Sequence, residues 1–186
     1  MHPARSQRRS SLLTVATVVA AVTALALVVT ACGSSEQLST SDYQPAGDAA
    51  SDAPLGFSAT TLDGAPFEAT SLSGRPVVLW FWAPWCTVCR AEAPDVTAVA
   101  AEFEGRVTFL GIAGLGPISD MQAFVAETGT SGFEHVADLD GQLWQRFGVV
   151  AQPAFVFIDG DGAAELYAGG LDAEQLRDVA DELVAG

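Results

Sequence analysis

The sequence predicts an α/β fold in which a central mixed β-sheet is flanked by helices. Two continuous apolar runs, 77–81 and 107–112, are typical of strands that are covered on both faces. Residues 86–103, with apolar side chains at helical spacing, connect these runs. A later hairpin and a closing amphipathic helix add antiparallel strands to the sheet. A chain of 186 residues is long enough for one such domain and a targeting segment.

Residues 1–31 are predicted to be an export signal. Arginines precede the segment 12–31, which carries no charge and ends in small residues before Cys32. Val29-Thr30-Ala31-Cys32 resembles a bacterial lipobox, in which the cysteine becomes the lipidated first residue of the mature chain. An uncleaved membrane anchor is the alternative, because the uncharged segment is just long enough to span a bilayer. Both interpretations place the rest of the chain outside the cytoplasm, and Arg8-Arg9 leaves twin-arginine export open.

Residues 32–52 are predicted to be a flexible tether, and residues 53–186 the folded domain. The tether is rich in Ser, Gly, Ala, Asp and Pro and poor in apolar residues. The chain has 23 acidic residues, 8 basic residues and a net charge of −15, which argues against a nucleic-acid-binding protein. Three cysteines and two histidines offer few ligands for a zinc or iron–sulfur site, so no metal or cofactor is expected.

The folded domain is predicted to run β-β, then β-α-β-α-(α)-β-β-α. Asp63-Gly64 and Asp159–Gly162 mark the turns of two hairpins, and Asp172 with Gln175 marks a helix N-terminus. The predicted elements are strands 57–61, 66–68, 77–81, 107–112, 154–158 and 164–167, and helices 86–103, 119–129, 141–147 and from 172 onward. Trp80, Trp82 and Trp144 are expected in the core, and His135 in a loop or at a strand edge rather than as a metal ligand.

Two cysteines at a spacing of three, Cys86 and Cys89, start the helix that follows the first buried strand. A thiolate is the nucleophile that attacks a disulfide, and the positive end of a helix dipole lowers the pKa of a cysteine there. This position predicts that Cys86 attacks and that Cys89 reaches back to resolve the mixed disulfide. A structural disulfide, a metal-binding pair and a pair of inert thiols are the alternatives. A structural disulfide is disfavoured because so short a loop constrains the unfolded chain little. A metal site needs two more ligands, and after the export signal only His135 offers an imidazole. A pair of inert thiols is disfavoured in an exported protein.

The segment FWAPWCTVCRAEAP, together with Gln152-Pro153-Ala154 before a strand, resembles the thioredoxin superfamily. The hairpin before the first buried strand, Glu92 after the cysteines and the inserted helix near 119–129 are similar to its TlpA/ResA/CcmG group, also called DsbE-type. The resemblance covers about residues 54–186. It implies a thioredoxin-like fold with an N-terminal β-hairpin and a central helical insertion.

The resemblance also implies roles for single residues. Pro153 matches the family's cis-proline, which with Gln152 offers backbone to an extended substrate strand, and Trp85 matches a surface residue that contacts substrate. Glu92 matches an acid that exchanges a proton with the resolving thiol of Cys89, and a solvated helix glutamate is the alternative. Thioredoxin proper carries a buried acid six residues before the first cysteine, where this chain has Trp80.

The expected function is a membrane-tethered extracytoplasmic thiol–disulfide oxidoreductase, anchored by lipid to the outer face of the cytoplasmic membrane. Its expected partners are exported protein substrates and a membrane redox partner. The direction stays open between oxidative folding of exported proteins and thiol reduction for cytochrome c maturation. A Sco-like copper chaperone is the alternative, although that group spaces its cysteines by one residue more. A peroxidase is disfavoured because nothing resembles a peroxidatic Thr-x-x-Cys loop.

Overall fold

The computed structural model describes residues 53–186. The export signal 1–31, the tether 32–52 and the lipidation site Cys32 lie outside the described residues and stay predictions. Within 53–186, every helix is too short or too polar to cross a membrane.

The described chain forms a seven-stranded sheet with helices on both faces. The strands are β1 Ser58–Thr61, β2 Pro66–Glu68, β3 Val77–Trp82, β4 Thr108–Gly114, β5 Glu134–Asp138, β6 Ala154–Ile158 and β7 Ala164–Ala168. The helices are α1 Thr87–Glu102, α2 Ile118–Thr128, α3 Gln142–Arg146 and α4 Ala173–Ala185, with a 3-10 turn at Ala69–Leu72. The strand order is β2-β1-β5-β4-β3-β6-β7, in which β3, β4 and β5 run parallel and the other pairs run antiparallel. The predicted mixed α/β sheet, with its N-terminal hairpin and inserted helix α2, is confirmed.

Strand β3 lies at the centre of the sheet and is buried along its whole length. Its side chains alternate between two apolar clusters, as the period of a strand requires. Val78, Trp80 and Trp82 join the cluster that packs under α1, α2 and α4, whereas Val77, Leu79 and Phe81 join the one on the other face. This double coverage explains why the segment is apolar at every position.

Strand β5 and its residue His135 differ from the sequence-based prediction. The sequence pattern predicts no strand at 134–138, but β5 pairs with β4 on one side and with β1 on the other. His135 therefore lies inside the sheet and is 4% exposed, so the expected loop or edge position is wrong. Gly111 on β4 makes this possible, because a Cβ there would overlap the imidazole ring.

Helix α1 follows β3 after a short turn, which brings the two cysteines to the carboxyl end of the sheet. Cys86 is the N-cap residue, so the helix begins one residue later than expected. Helix α2 begins one residue earlier than expected, after Pro117. The capping box of Asp172 and Gln175 at α4 is confirmed, because each side chain bonds the other residue's backbone N–H.

Candidate active site

A disulfide joins Cys86 to Cys89 at the N-terminus of α1, with the Cα atoms 5.3 Å apart. The Sγ of Cys86 accepts a hydrogen bond from the backbone N–H of Cys89 at 3.0 Å. Cys86 is 5% exposed and Cys89 is fully buried, so Cys86 is the more accessible of the two residues even in the oxidised state. The first turn of α1 holds no acidic residue that would offset the positive end of the helix dipole.

Glu92 lies one helical turn after Cys89 and is 7% exposed, so it is not the solvated glutamate of the alternative interpretation. Its Oε1 accepts a hydrogen bond from Nε1 of Trp80 at 2.7 Å, and its Oε2 accepts one from the backbone N–H of Leu171 at 3.2 Å. Burial raises the pKa of Glu92 from 4.5 to about 7, the two hydrogen bonds oppose this shift, and the charge of Asp95 adds to it. The carboxyl group therefore changes its charge near neutral pH.

The peptide bond between Gln152 and Pro153 is cis, as the family resemblance implied. Pro153 is buried, Gln152 is partly exposed, and the carbonyl of Pro153 accepts a hydrogen bond from the N–H of Gly169 at 3.0 Å. This bond ties the proline loop to the segment that precedes α4.

Gly170 is the point at which the parts of the site converge. A Cβ at Gly170 would lie 2.7 Å from Oε2 of Glu92, 3.5 Å from Cγ1 of Val88 and 3.6 Å from Cγ of Pro153. The carboxylate, the residue between the two cysteines and the cis-proline are thus neighbours of one backbone position. The structure therefore brings Glu92 and Pro153, predicted from different parts of the sequence, to the cysteine pair.

Trp85 is exposed, as expected, with 60% of its surface accessible. Its Nε1 donates a hydrogen bond to the carbonyl of Leu115 at 2.8 Å. Leu115 has a φ of 58°, in the left-handed region that costs a residue with a Cβ about 1–2 kcal/mol. Trp80 and Trp82 are fully buried and Trp144 is 6% exposed, which confirms their predicted place in the core.

His135 is hydrogen-bonded through both ring nitrogens. Nδ1 accepts from Nε1 of Trp82 at 3.3 Å, so Nε2 carries the proton and donates to the carbonyl of Thr130 at 2.9 Å. Burial lowers the pKa of His135 to about 4, and the ring is neutral at pH 7. Its one acceptor nitrogen is already engaged, and residues 53–186 hold no group of three or more His, Cys, Asp or Glu side chains placed for a metal. The copper alternative gains no support from this part of the chain.

Sequence reasoning missed four contributors to the site. They are the indole of Trp80, the backbone N–H of Leu171, the absence of a side chain at Gly170 and the turn at Leu115. The Gly169-Gly170 pair was a visible signal of close backbone approach. The other three depend on contacts between distant segments, which no local pattern reveals.

A disulfide at the start of a helix, beside a cis-proline on this sheet, defines a thioredoxin-like protein. Residues 46–165 match the AhpC/TSA family, and the chain belongs to it.

Similar proteins indicate which group of thioredoxin-like proteins this chain resembles. The chain is 50% identical over 115 residues to the soluble secreted antigen MPT53 of Mycobacterium tuberculosis. The matched segment covers 62% of this chain and 65% of that relative, so the chain spans just under two thirds of the relative's length. The structure of MTB dsbF in its mixed oxidized and reduced forms matches with a TM-score of 0.69 and 46% identity, over 70% of this chain and 97% of that one. A secreted Mycobacterium tuberculosis disulfide oxidoreductase homologous to E. coli DsbE matches with a TM-score of 0.66 and 42% identity, over 70% and 98%. The expected resemblance to DsbE-type proteins is confirmed.

Proposed function

We propose that this protein is an extracytoplasmic thiol–disulfide oxidoreductase that exchanges its Cys86–Cys89 disulfide with cysteines of exported proteins. The observation that carries the proposal is the disulfide at the N-terminus of α1, with the more accessible cysteine at the N-cap and the other cysteine fully buried. The likeness to a secreted disulfide oxidoreductase supports it.

The exchange proceeds through a mixed disulfide. A substrate thiolate attacks Sγ of Cys86, the Cys86–Cys89 bond breaks, and Cys89 leaves with the electron pair as a thiolate. A second substrate thiolate then attacks the substrate sulfur of the mixed disulfide and releases Cys86 as a thiolate. The substrate loses two electrons and gains a disulfide, and the cysteine pair gains them. The reverse sequence, with Cys86 as attacker and Cys89 as resolver, reduces a substrate disulfide.

Glu92 is the acid–base group of this exchange. A carboxyl group with a pKa of about 7 can give a proton to the Cys89 thiolate as the disulfide opens and take it back as the disulfide closes. Its place one helical turn from Cys89, shielded from water, supports this role. Trp80 and Leu171 orient the carboxylate through their hydrogen bonds.

The substrate contacts three residues around the cysteine pair: Trp85, Gln152 and Pro153. Trp85 precedes the attacking cysteine and is exposed, whereas the cis-proline loop lies beside Val88 and offers backbone groups to an extended chain. No metal or cofactor takes part in the proposed exchange.

Lipidation of Cys32 anchors the protein to the outer face of the cytoplasmic membrane, and residues 32–52 tether the domain there. A membrane redox partner returns the cysteine pair to its working state. Whether the protein oxidises exported proteins or keeps thiols reduced for cytochrome c maturation follows from the reduction potential of the Cys86–Cys89 pair. A value near that of thioredoxin assigns a reductant, and one near that of DsbA an oxidant.

Substitution of each cysteine tests the proposal. The full chain should catalyse both the reduction of insulin disulfides by dithiothreitol and the oxidation of a reduced dithiol protein, at rates set by its potential. Cys86→Ser should abolish both activities, whereas Cys32→Ser, the matched control, should retain them. Undiminished turnover in Cys86→Ser would contradict the proposed function.

A further inference from the structure

The turn that follows β4 contains a strained, exposed leucine. Leu115 is the one residue other than glycine with a positive φ in the part of the chain that the structure describes. The residue is 53% exposed, so burial does not compensate for the strain. Glycine or asparagine would suit this backbone better. Strain of this kind beside an active site points to a function of the side chain.

The two neighbours of Leu115 are closed to side chains. A Cβ at Gly114 would lie 2.7 Å from Nε1 of Trp144, and a Cβ at Gly116 would lie 2.5 Å from Cγ of Pro84. The backbones of both glycines therefore pack directly on rings, and Leu115 is the one residue of the segment 114–116 that can present a side chain.

The turn is connected to the cysteine pair through Trp85. The carbonyl of Leu115 accepts the hydrogen bond of the Trp85 indole, and Trp85 directly precedes Cys86. Val88, inside the cysteine pair, is 54% exposed. We name these three exposed apolar residues, Trp85, Val88 and Leu115, the Leu115 rim.

We propose that Leu115 is a specificity-determining residue, which contacts an apolar side chain adjacent to the reacting cysteine of an extended protein segment. This inference rests on the proposed function. The occupant is a cysteine-bearing segment because its sulfur must bond to Sγ of Cys86, as the Cys86–Cys89 bond breaks and Cys89 takes the electron pair. Residues that flank this sulfur then lie against the Leu115 rim.

A comparison of two substrates tests the proposal. Two dithiol peptides that differ in one residue beside the cysteine, leucine or serine, are reacted with the full chain, and the ratio of their kcat/KM values is measured. The wild-type ratio should favour the leucine peptide. Leu115→Asn, which tolerates the left-handed backbone, should lower the ratio about fivefold through KM. Leu115→Met should keep it, and so should Leu166→Asn, a control at an exposed leucine in the middle of β7.

An unchanged ratio in Leu115→Asn, or the same fall in Leu166→Asn, would overturn the inference. A general loss of activity lowers the rates of both peptides and leaves their ratio unchanged, so it is distinguished from a loss of specificity. If Leu115→Asn fails to fold, Leu115→Ala is measured in its place. Absence of Cys86-dependent exchange with either peptide overturns the proposed function and this inference together. Exchange with an unchanged ratio overturns the inference alone.

Discussion

The indole of Trp80 donates a hydrogen bond of 2.7 Å to the carboxylate of Glu92, from the centre of β3 to the first half of α1. Thioredoxin proper has a buried acid at the position of Trp80. In this chain that position supplies a donor, and the buried acid lies on the helix that carries the cysteines. In the proposed function, proton exchange with Cys89 falls to this carboxyl group, whose pKa burial raises to about 7.

Replacement of Glu92 by Gln should slow the exchange and flatten its pH profile. The wild-type rate of cysteine-pair opening should change near pH 7, where the carboxyl group loses its proton. Glu92→Gln should lose this inflection and fall by about 100-fold, the lower end of general acid–base catalysis. Stopped-flow measurement from pH 5 to pH 9 checks both. Glu102→Gln, which changes an exposed glutamate on the same helix, is the control. If Glu92→Gln and Glu102→Gln gave the same pH profile, the acid–base role of Glu92 would be refuted.

Stability should fall as the pH rises through the range in which Glu92 ionises. The pKa of Glu92 is about 7 in the folded state and 4.5 in the unfolded chain. Between these two values, the folded state therefore holds a proton that the unfolded state has released. The stabilisation is complete below pH 4.5 and is lost as the pH passes 7, by about 3 kcal/mol at most. Urea unfolding of the oxidised protein should show this decline in wild type and a smaller one in Glu92→Gln. An equal decline in both would contradict the buried acid.

Replacement of Trp80 by Phe should shift the pH profile to higher pH. The indole lowers the pKa of Glu92, so its loss raises that pKa further. The loss of one hydrogen bond to the buried carboxyl group and the smaller ring should also cost about 2–4 kcal/mol of stability. Trp144→Phe is a matched control, because Nε1 of Trp144 has no hydrogen-bond partner among residues 53–186. The kinetic inflection should move in Trp80→Phe and stay in place in Trp144→Phe, and the reverse pattern would exclude this role of Trp80.

Much of this fold follows from local sequence, whereas the site is completed by contacts between distant segments. Strand β3 and the cysteines at the start of α1 are apparent because an unbroken apolar run leads into a helical pattern. Strand β5 is not apparent, since the polar residues Glu134, His135 and Asp138 interrupt its apolar pattern. It is defined instead by its pairing with β4. The bond from Leu171 to Glu92 spans 79 positions, so no sequence period predicts it.

Replacement of Gly170 by Ala should displace the Glu92 carboxylate. The added Cβ would lie 2.7 Å from Oε2, a distance that real Cβ atoms essentially never show, and in ordinary van der Waals contact with Cγ of Pro153 at 3.6 Å. We expect a loss of about 1–3 kcal/mol in stability and a changed pH profile. Gly132→Ala is the control, because a Cβ at Gly132 would meet no atom within 4 Å. Thermal melts and pH–rate profiles compare the two, and wild-type behaviour of Gly170→Ala would show that the carboxylate does not need this space.

In the proposed function, exchange passes through a mixed disulfide at Cys86, which Cys89 resolves. The most direct measurement is peptide mapping by mass spectrometry after the full chain carrying Cys89→Ser reacts with a protein disulfide. We predict a stable adduct on Cys86 in this variant and none in the double variant Cys86→Ser/Cys89→Ser. An adduct on Cys32, or no adduct at Cys86, would contradict the claim.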